Sequence, residues 1–284
     1  MRAIAAGQPS LRACVERVVV VAYREDTGQL QAAMEREGFA EVFVQRAIYT
    51  GEEQAYSRNF RCFMNHRDAW RKAAGRSGWT LIMEADFVPC AGFGSMPVPI
   101  PQPESPGKKW AFLYTAAPRI FWVETSGFLR GHQSTAVCYL VTGAVAAKLL
   151  LFWDDEVRRH GMGSYFPFDA HLNWTLMGMG CEAYFPIHSY GEHGGLPNPE
   201  HGEKGVASND GRHRADVLAG PLAFLPPYAA GSRAKYVLVR IGARIKSIGR
   251  LLLGKWLVRV QVSDPPPEQL LRPIWTGIKR QLKA

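Results

Sequence analysis

Leu81-Ile82-Met83-Glu84-Ala85-Asp86-Phe87-Val88 is the stretch on which the reading of this chain turns. Thr80 to Met83 has the length and apolar character of a short buried strand, and two acids one residue apart stand where that strand should end. In open α/β sheets, ligands bind outside the carboxyl ends of the strands. Carboxylates there suit a divalent cation, Mn2+ or Mg2+, which takes oxygen ligands and keeps positions open for phosphate. The same two acids also serve as turn caps, and the stretch alone leaves both readings open.

Working outward, strands and helices alternate. Val18 to Ala22 is a continuous apolar run of the kind covered on both faces in a parallel sheet. Asp26 or Thr27 is placed to cap a helix running to Glu37, and Gly38 ends it. Val42 to Val44 follows as a strand, residues 57 to 74 as a helix closed by Gly75, and Thr80 to Met83 as the third strand. Prolines at 89, 97, 99, 101, 103 and 106 then predict an extended, semi-rigid surface loop, either a linker or a wall of a site. Beyond it, strands are expected at Lys109 to Tyr114, Arg119 to Val123, Ala136 to Val141 and Glu182 to Ile187. Helices are expected from Ala144 to His160 and from Asp169 to Met179. This order predicts a doubly wound, mostly parallel α/β sheet with helices on both faces.

The run from His66 to Phe93 resembles glycosyltransferase family 25, a group that includes lipopolysaccharide glycosyltransferases. There a helix bearing His and Trp, here His66 and Trp70, feeds a hydrophobic strand that ends in Glu-Asp-Asp. Glu84-Ala85-Asp86 stands at that place without the middle acid. Ala136 to Thr142 followed by Ala144 to Leu150, and Phe166-Pro167-Phe168-Asp169, are further partial likenesses. The resemblance implies GT-A architecture, a nucleotide-diphospho-sugar donor and a glycan or lipid-linked acceptor. It also implies an acid at Asp169 facing the acceptor, and a late histidine or acid completing the metal site.

Asp86 is the expected metal ligand, with Glu84 close by or hydrogen-bonded to ribose. His188 to Gly202 concentrates histidines, acids and glycines after a strand, so His193 and His201 are candidates to complete the metal site. Gly194 and Gly195 would let backbone N–H groups cradle phosphate oxygens, although a plain glycine turn fits as well. Asp169 reads as a helix N-cap, as a general base, or as both. Arg58 and His66 are placed near the donor nucleotide, and Arg58 with Arg61 suits a diphosphate because guanidinium pairs bidentately with phosphate oxygens. A packed His66 and solvated arginines are the plainer alternatives.

Several classes drop out. No Gly-x-Ser-x-Gly elbow, Walker loop or Gly-x-Gly-x-x-Gly fingerprint occurs. Five cysteines without a CxxC pair argue against a zinc ribbon or a disulfide framework and for a reduced, cytoplasmic protein. The net charge of +9 is concentrated: eight bases and no acids lie between Val217 and Ser263. Leu238, Ile241, Ile245, Ile248, Leu252 and Trp256 recur at helical spacing there, with Arg240, Arg244, Lys246, Arg250 and Lys255 around the remaining perimeter. Such a basic amphipathic helix, residues 235–259, reads as a contact with an anionic membrane surface. Nucleic acid is disfavoured, since no aromatics interleave with the bases along a sheet.

The chain is therefore expected to be a GT-A-like nucleotide-sugar and acceptor domain (1–215) followed by a basic helical region (216–284). Its expected activity is glycosyl transfer on the cytoplasmic face of a membrane, in lipopolysaccharide or other surface-glycan synthesis. A metal-dependent phosphoester hydrolase using Asp86, His193 and His201, and a non-catalytic scaffold, are the alternatives.

Overall fold

The computed structural model describes residues 7–104, 107–116, 118–196, 214–253 and 271–282. Its centre is an eight-stranded sheet ordered β2-β1-β3-β8-β5-β9-β7-β6. The strands are β1 (Val15–Ala22), β2 (Val42–Arg46), β3 (Trp79–Glu84), β5 (Lys109–Phe112), β6 (Arg119–Val123), β7 (Leu129–His132), β8 (Cys138–Val141) and β9 (Glu182–Phe185). β1 pairs in parallel with β2 and β3, and β5 with β9, whereas β8 runs against β3 and β5, and β7 against β9 and β6. Six strands thus point one way and two the other, a mostly parallel α/β sheet. Two further strands, β4 (Phe87–Pro89) and β10 (Gly191–His193), form a small antiparallel sheet of their own. β4, β7 and β10 are too short to show a hydrophobic period in the sequence.

Both faces of the large sheet are covered, and the pleat divides the strand residues between two cores. Val19 and Val21 of β1, Ile82 of β3 and Tyr139 and Val141 of β8 face the first core. That core is filled by α3 (Arg58–Ala74), α4 (Gly143–His160) and α5 (Phe168–Gly178), which contribute Phe63, Trp70, Phe152 and Leu172. Val18, Val20, Leu81, Met83, Cys138 and Leu140 face the second core. There α1 (Leu11–Cys14) and α2 (Gly28–Arg36) pack together with the segment after β4.

Local chemistry sets the helix starts. Ser57 accepts a hydrogen bond from Phe60 N at 3.0 Å and Thr142 from Val145 N at 3.3 Å, each satisfying an orphan first-turn donor. Before α2, Asp26 Oδ1 accepts from Gly28 N at 2.9 Å, and Gly38 just beyond it takes φ +86°, a value that suits glycine. The proline-rich stretch is not a surface loop. Phe93, Val98 and Ile100 are fully buried in the second core, so the segment is a wall of the fold. Its prolines supply extended backbone that asks for few ladder hydrogen bonds.

The carboxyl-terminal part carries two helices, α6 (Arg233–Leu252) and α7 (Leu271–Leu282). α7 packs beside the edge strand β6 and against α6. It is tied down by Arg280, fully buried, which pairs with Asp216 and donates to Thr115 Oγ1 at 2.7 Å and to the Ile187 carbonyl. Gln281 Nε2 reaches the same Asp216 at 3.4 Å, and Arg244 of α6 donates to the Gln281 carbonyl. Residues on both sides of the 215/216 division are buried: Ala215 lies in the second core and Asp216 holds Arg280.

Arg280→Leu leaves the Asp216 carboxylate buried without its partner. The expected loss is ~3–5 kcal/mol of unfolding free energy, read as a lower midpoint in a urea titration. An unchanged midpoint would show that α7 is not docked through this pair.

Candidate metal centre at the end of β3

Register assembles the site. Glu84 is the last residue of β3, and β3 lies between β1 and β8 in the large sheet. Ala85 donates its N–H to Val21 O at 2.9 Å, packs toward the second core, and is followed by Asp86. β4 then pairs with β10 so that Phe87 stands opposite His193 and Val88 opposite Glu192. Gly194 N–H donates to Asp86 O at 2.8 Å and extends that pairing by one step. His193 Nε2 thereby comes to 3.2 Å from Asp86 Oδ2 and 3.8 Å from Glu84 Oε2. Ligand atoms from Glu84, Asp86 and His193 all lie within 4.8 Å of one another.

This donor set fits a hard divalent cation. Asp86 Oδ1 is buried and finds no hydrogen-bond partner among the described residues, an arrangement costly to keep without a ligand. A Cβ at Gly195 would overlap Asp86 Oδ2, so only glycine leaves the carboxylate in place. The Gly194 N–H is spent on Asp86, and the Gly195 carbonyl accepts from Arg214 at 2.9 Å. Arg214 also donates to the His193 carbonyl and lies 4.0 Å from the Tyr228 ring centroid.

Charge is balanced by proximity. Burial disfavours the charged imidazole, but Asp86 and then Glu84 outweigh it and push His193 up to about 9. Burial also penalises the Asp86 carboxylate, yet His193 and Arg214 hold it below the usual carboxylate range. By linkage, the His193 contribution to stability is complete below its ordinary 6.5 and is lost as pH rises through about 9. The Asp86 contribution is present above its ordinary 3.8 and is lost as pH falls through its lowered value.

A buried relay holds Glu84 from the other side. Trp70 Nε1 donates to Tyr139 OH at 2.8 Å, and that hydroxyl pairs with His66 Nδ1, also at 2.8 Å. The Glu84 carboxylate, which only accepts, faces His66 Nε2 at 3.3 Å, so the tautomer with its proton on Nε2 lets Nδ1 accept from Tyr139. His66 is fully buried with both ring nitrogens committed, so it orients a carboxylate and does not touch a nucleotide. Cys62 Sγ lies 3.9 Å from the same oxygen, and burial pushes its thiol well above the ordinary range.

The remaining expected residues divide. Asp169 does not cap its helix: α5 starts at Phe168 with Pro167 before it and no side-chain cap. Burial, then the Glu84 charge, push the Asp169 carboxyl up to about 7, so Asp169 lies within electrostatic reach of the acid cluster. Arg58 is exposed in the first turn of α3, on the same face as Cys62 and His66 but about 12 Å of helix rise from His66. His201 lies outside the described residues. Sequence reading missed Tyr139, Glu192 and Arg214, whose roles depend on register and on a chain reversal. It also missed a polar–aromatic pair beyond the strand ends, Tyr23 and Tyr49, with ring centroids 5.0 Å apart. The Arg61 guanidinium lies 5.8 Å and 5.6 Å from those two rings.

A cation entering this site displaces the His193 proton. Affinity for Mn2+ should therefore rise with pH up to about 9, with about one proton released per ion. Calorimetry in two buffers of different ionisation enthalpy measures that release, and pH-independent binding would remove His193 from the ligand set. Tyr139→Phe strands the Trp70 donor and unlocks the His66 tautomer. It should weaken Mn2+ binding ~10-fold and lower stability by ~1–3 kcal/mol.

No protein-family model matches the chain, and no curated protein matches it. Among solved structures it is similar to a glycosyltransferase involved in the glycosylation of the major capsid of PBCV-1. That likeness has 14% identity and a TM-score of 0.35, and it covers 55% of this chain and 73% of the other.

Proposed function

We propose that the chain is a GT-A-type glycosyltransferase that moves a sugar from a nucleotide-diphospho-sugar to a glycan or lipid-linked acceptor. The observation that carries the reading is the convergence of Glu84, Asp86 and His193 at the end of β3, with Asp169 within electrostatic reach of Glu84. Ligands of open α/β sheets collect at this edge. A divalent cation bound there supplies positive charge for the donor's diphosphate. Two carboxylates suit Mg2+ or Mn2+, and the imidazole favours Mn2+.

Each protein group has a distinct task. Asp86 and His193 would hold the cation, and Glu84 would complete the set in the orientation imposed by His66. The acceptor hydroxyl attacks the anomeric carbon and passes its proton to Asp169, while the bond to the nucleoside diphosphate breaks. An acid pushed up to about 7 is matched to that proton transfer near neutral pH. A lipid-linked acceptor in lipopolysaccharide or other surface-glycan synthesis accounts for the basic 235–259 segment, with the enzyme peripheral on the inner face of the membrane.

Sugar-nucleotide hydrolysis with and without Mn2+ tests the reading, since a transferase slowly hydrolyses its donor and a scaffold does not. Asp86→Asn should abolish the Mn2+-dependent rate with the fold intact. Asp169→Asn should lower kcat of transfer at least ~100-fold, and the wild-type rate should climb with pH through about 7 as Asp169 deprotonates. Because ionising Asp169 costs the folded state, Asp169→Asn should also raise the melting temperature at pH 8. Full transfer activity in Asp169→Asn would remove the base assignment.

A further inference from the structure

α6 is built inside out. The side it turns to the body carries Tyr236, Arg240, Ala243, Arg244 and Ser247, of which Ala243 and Ser247 are buried. Arg240 bonds the fully buried Glu192 at 2.5 Å and the Ala215 carbonyl at 2.6 Å. Arg244 reaches the Gln281 carbonyl. Its apolar stripe faces outward: Leu238 is 69% exposed, Ile245 66% and Leu252 81%, with Ile241 and Ile248 between them. α7 repeats the inversion. It buries Thr276, Gly277, Arg280 and Gln281 and exposes Leu271 and, by 56%, Trp275.

A surface helix normally covers its apolar stripe and wets its charges. Here guanidinium groups hold the helix to the body, and the branched aliphatic side chains are left for something else to cover. The charge around them identifies what. No acid occurs from Val217 to Ser263, and Lys235, Arg250, Arg272 and Lys279 lie on the same two helices. Lys279 sits 5.5 Å from the Trp275 ring centroid, a basic and aromatic pair of the kind that settles at a lipid headgroup boundary. Among the described residues no helix is long and apolar enough to cross a membrane.

We propose that α6 and α7 together form a two-helix platform that rests on an anionic lipid bilayer. In the sense of its substrate this rests on the lipid-linked acceptor proposed above, and it extends the contact from one helix to two. It also moves Arg240 and Arg244 from the lipid side to the body side. Glu192, gripped by Arg240, accepts the His193 N–H at 3.0 Å and the Ala215 N–H at 2.8 Å. The platform and the Glu84–Asp86–His193 cluster are thus joined through one buried ion pair.

The test is sedimentation of the full chain with phosphatidylcholine vesicles and with vesicles that also contain phosphatidylglycerol. Ile241→Ser/Ile245→Ser and Leu271→Ser/Trp275→Ser change only exposed side chains, so both should keep the wild-type circular dichroism. Wild type should bind the anionic vesicles, more weakly in high salt. Each double variant should lose about tenfold in affinity. Wild-type binding in the Leu271/Trp275 variant would remove α7 from the platform, and equal binding to neutral vesicles would remove the basic rim. A wild-type dimer that both variants convert to monomer, without vesicle binding, would make the stripe a contact between copies. Sugar-nucleotide hydrolysis on the same preparations, without vesicles, keeps the two proposals apart. Hydrolysis without vesicle binding overturns the platform alone, and vesicle binding without hydrolysis overturns the transferase while the platform stands.

Discussion

The pairing of β4 with β10 is the constraint on which the site depends. Phe87 stands opposite His193, and that one register places an imidazole against Asp86 and turns its neighbour Glu192 inward. Strand side chains alternate, so a one-residue slip would bury His193 and expose Glu192 instead. Three groups fix the register from outside the strands. Gly194 bonds back to Asp86, Arg214 holds the His193 and Gly195 carbonyls, and Arg240 neutralises Glu192.

Buried polar groups give the apolar interior of this molecule its directional contacts. Trp70, Tyr139 and His66 pass one hydrogen-bonding direction through the first core to Glu84. Arg280 and Asp216 do the comparable task for α7. Such groups stabilise little over well-packed apolar ones, but removing one partner is severe, so they select a single arrangement. That selection suits a site whose ligand atoms must agree in position.

The large sheet was legible because its strands are continuous apolar runs with acids or glycines at their ends. Val18 to Ala22 and Thr80 to Met83 could be read without any partner. Glu84 and Asp86 were legible for the same reason, since a strand end predicts where their side chains emerge. His193 was legible as a candidate partner of Asp86 from its place in a glycine-rich loop after a strand, but the pairing that brings it there was not, because 107 positions separate the two and a three-residue strand has no period to read. For His66 the plainer of the two readings, a packed histidine, fits: helical spacing put it on the correct face, and only Tyr139, from a distant strand, shows that both its nitrogens are used. The α6 period revealed the stripe but not the direction it faces. That direction is set by Glu192, a buried acid that looked like part of a polar loop.

Ala85 draws a further consequence from the strand's alternation. It packs toward the second core with its N–H in the ladder to Val21, on the side away from Glu84 and Asp86. An acid at this position would add its charge to apolar packing and bring no oxygen to the cluster. The ligand set therefore remains two carboxylates and one imidazole, whose formal charge cancels that of a divalent ion once the imidazole is neutral. A loaded site of zero net charge would not repel a diphosphate, whereas a third carboxylate would.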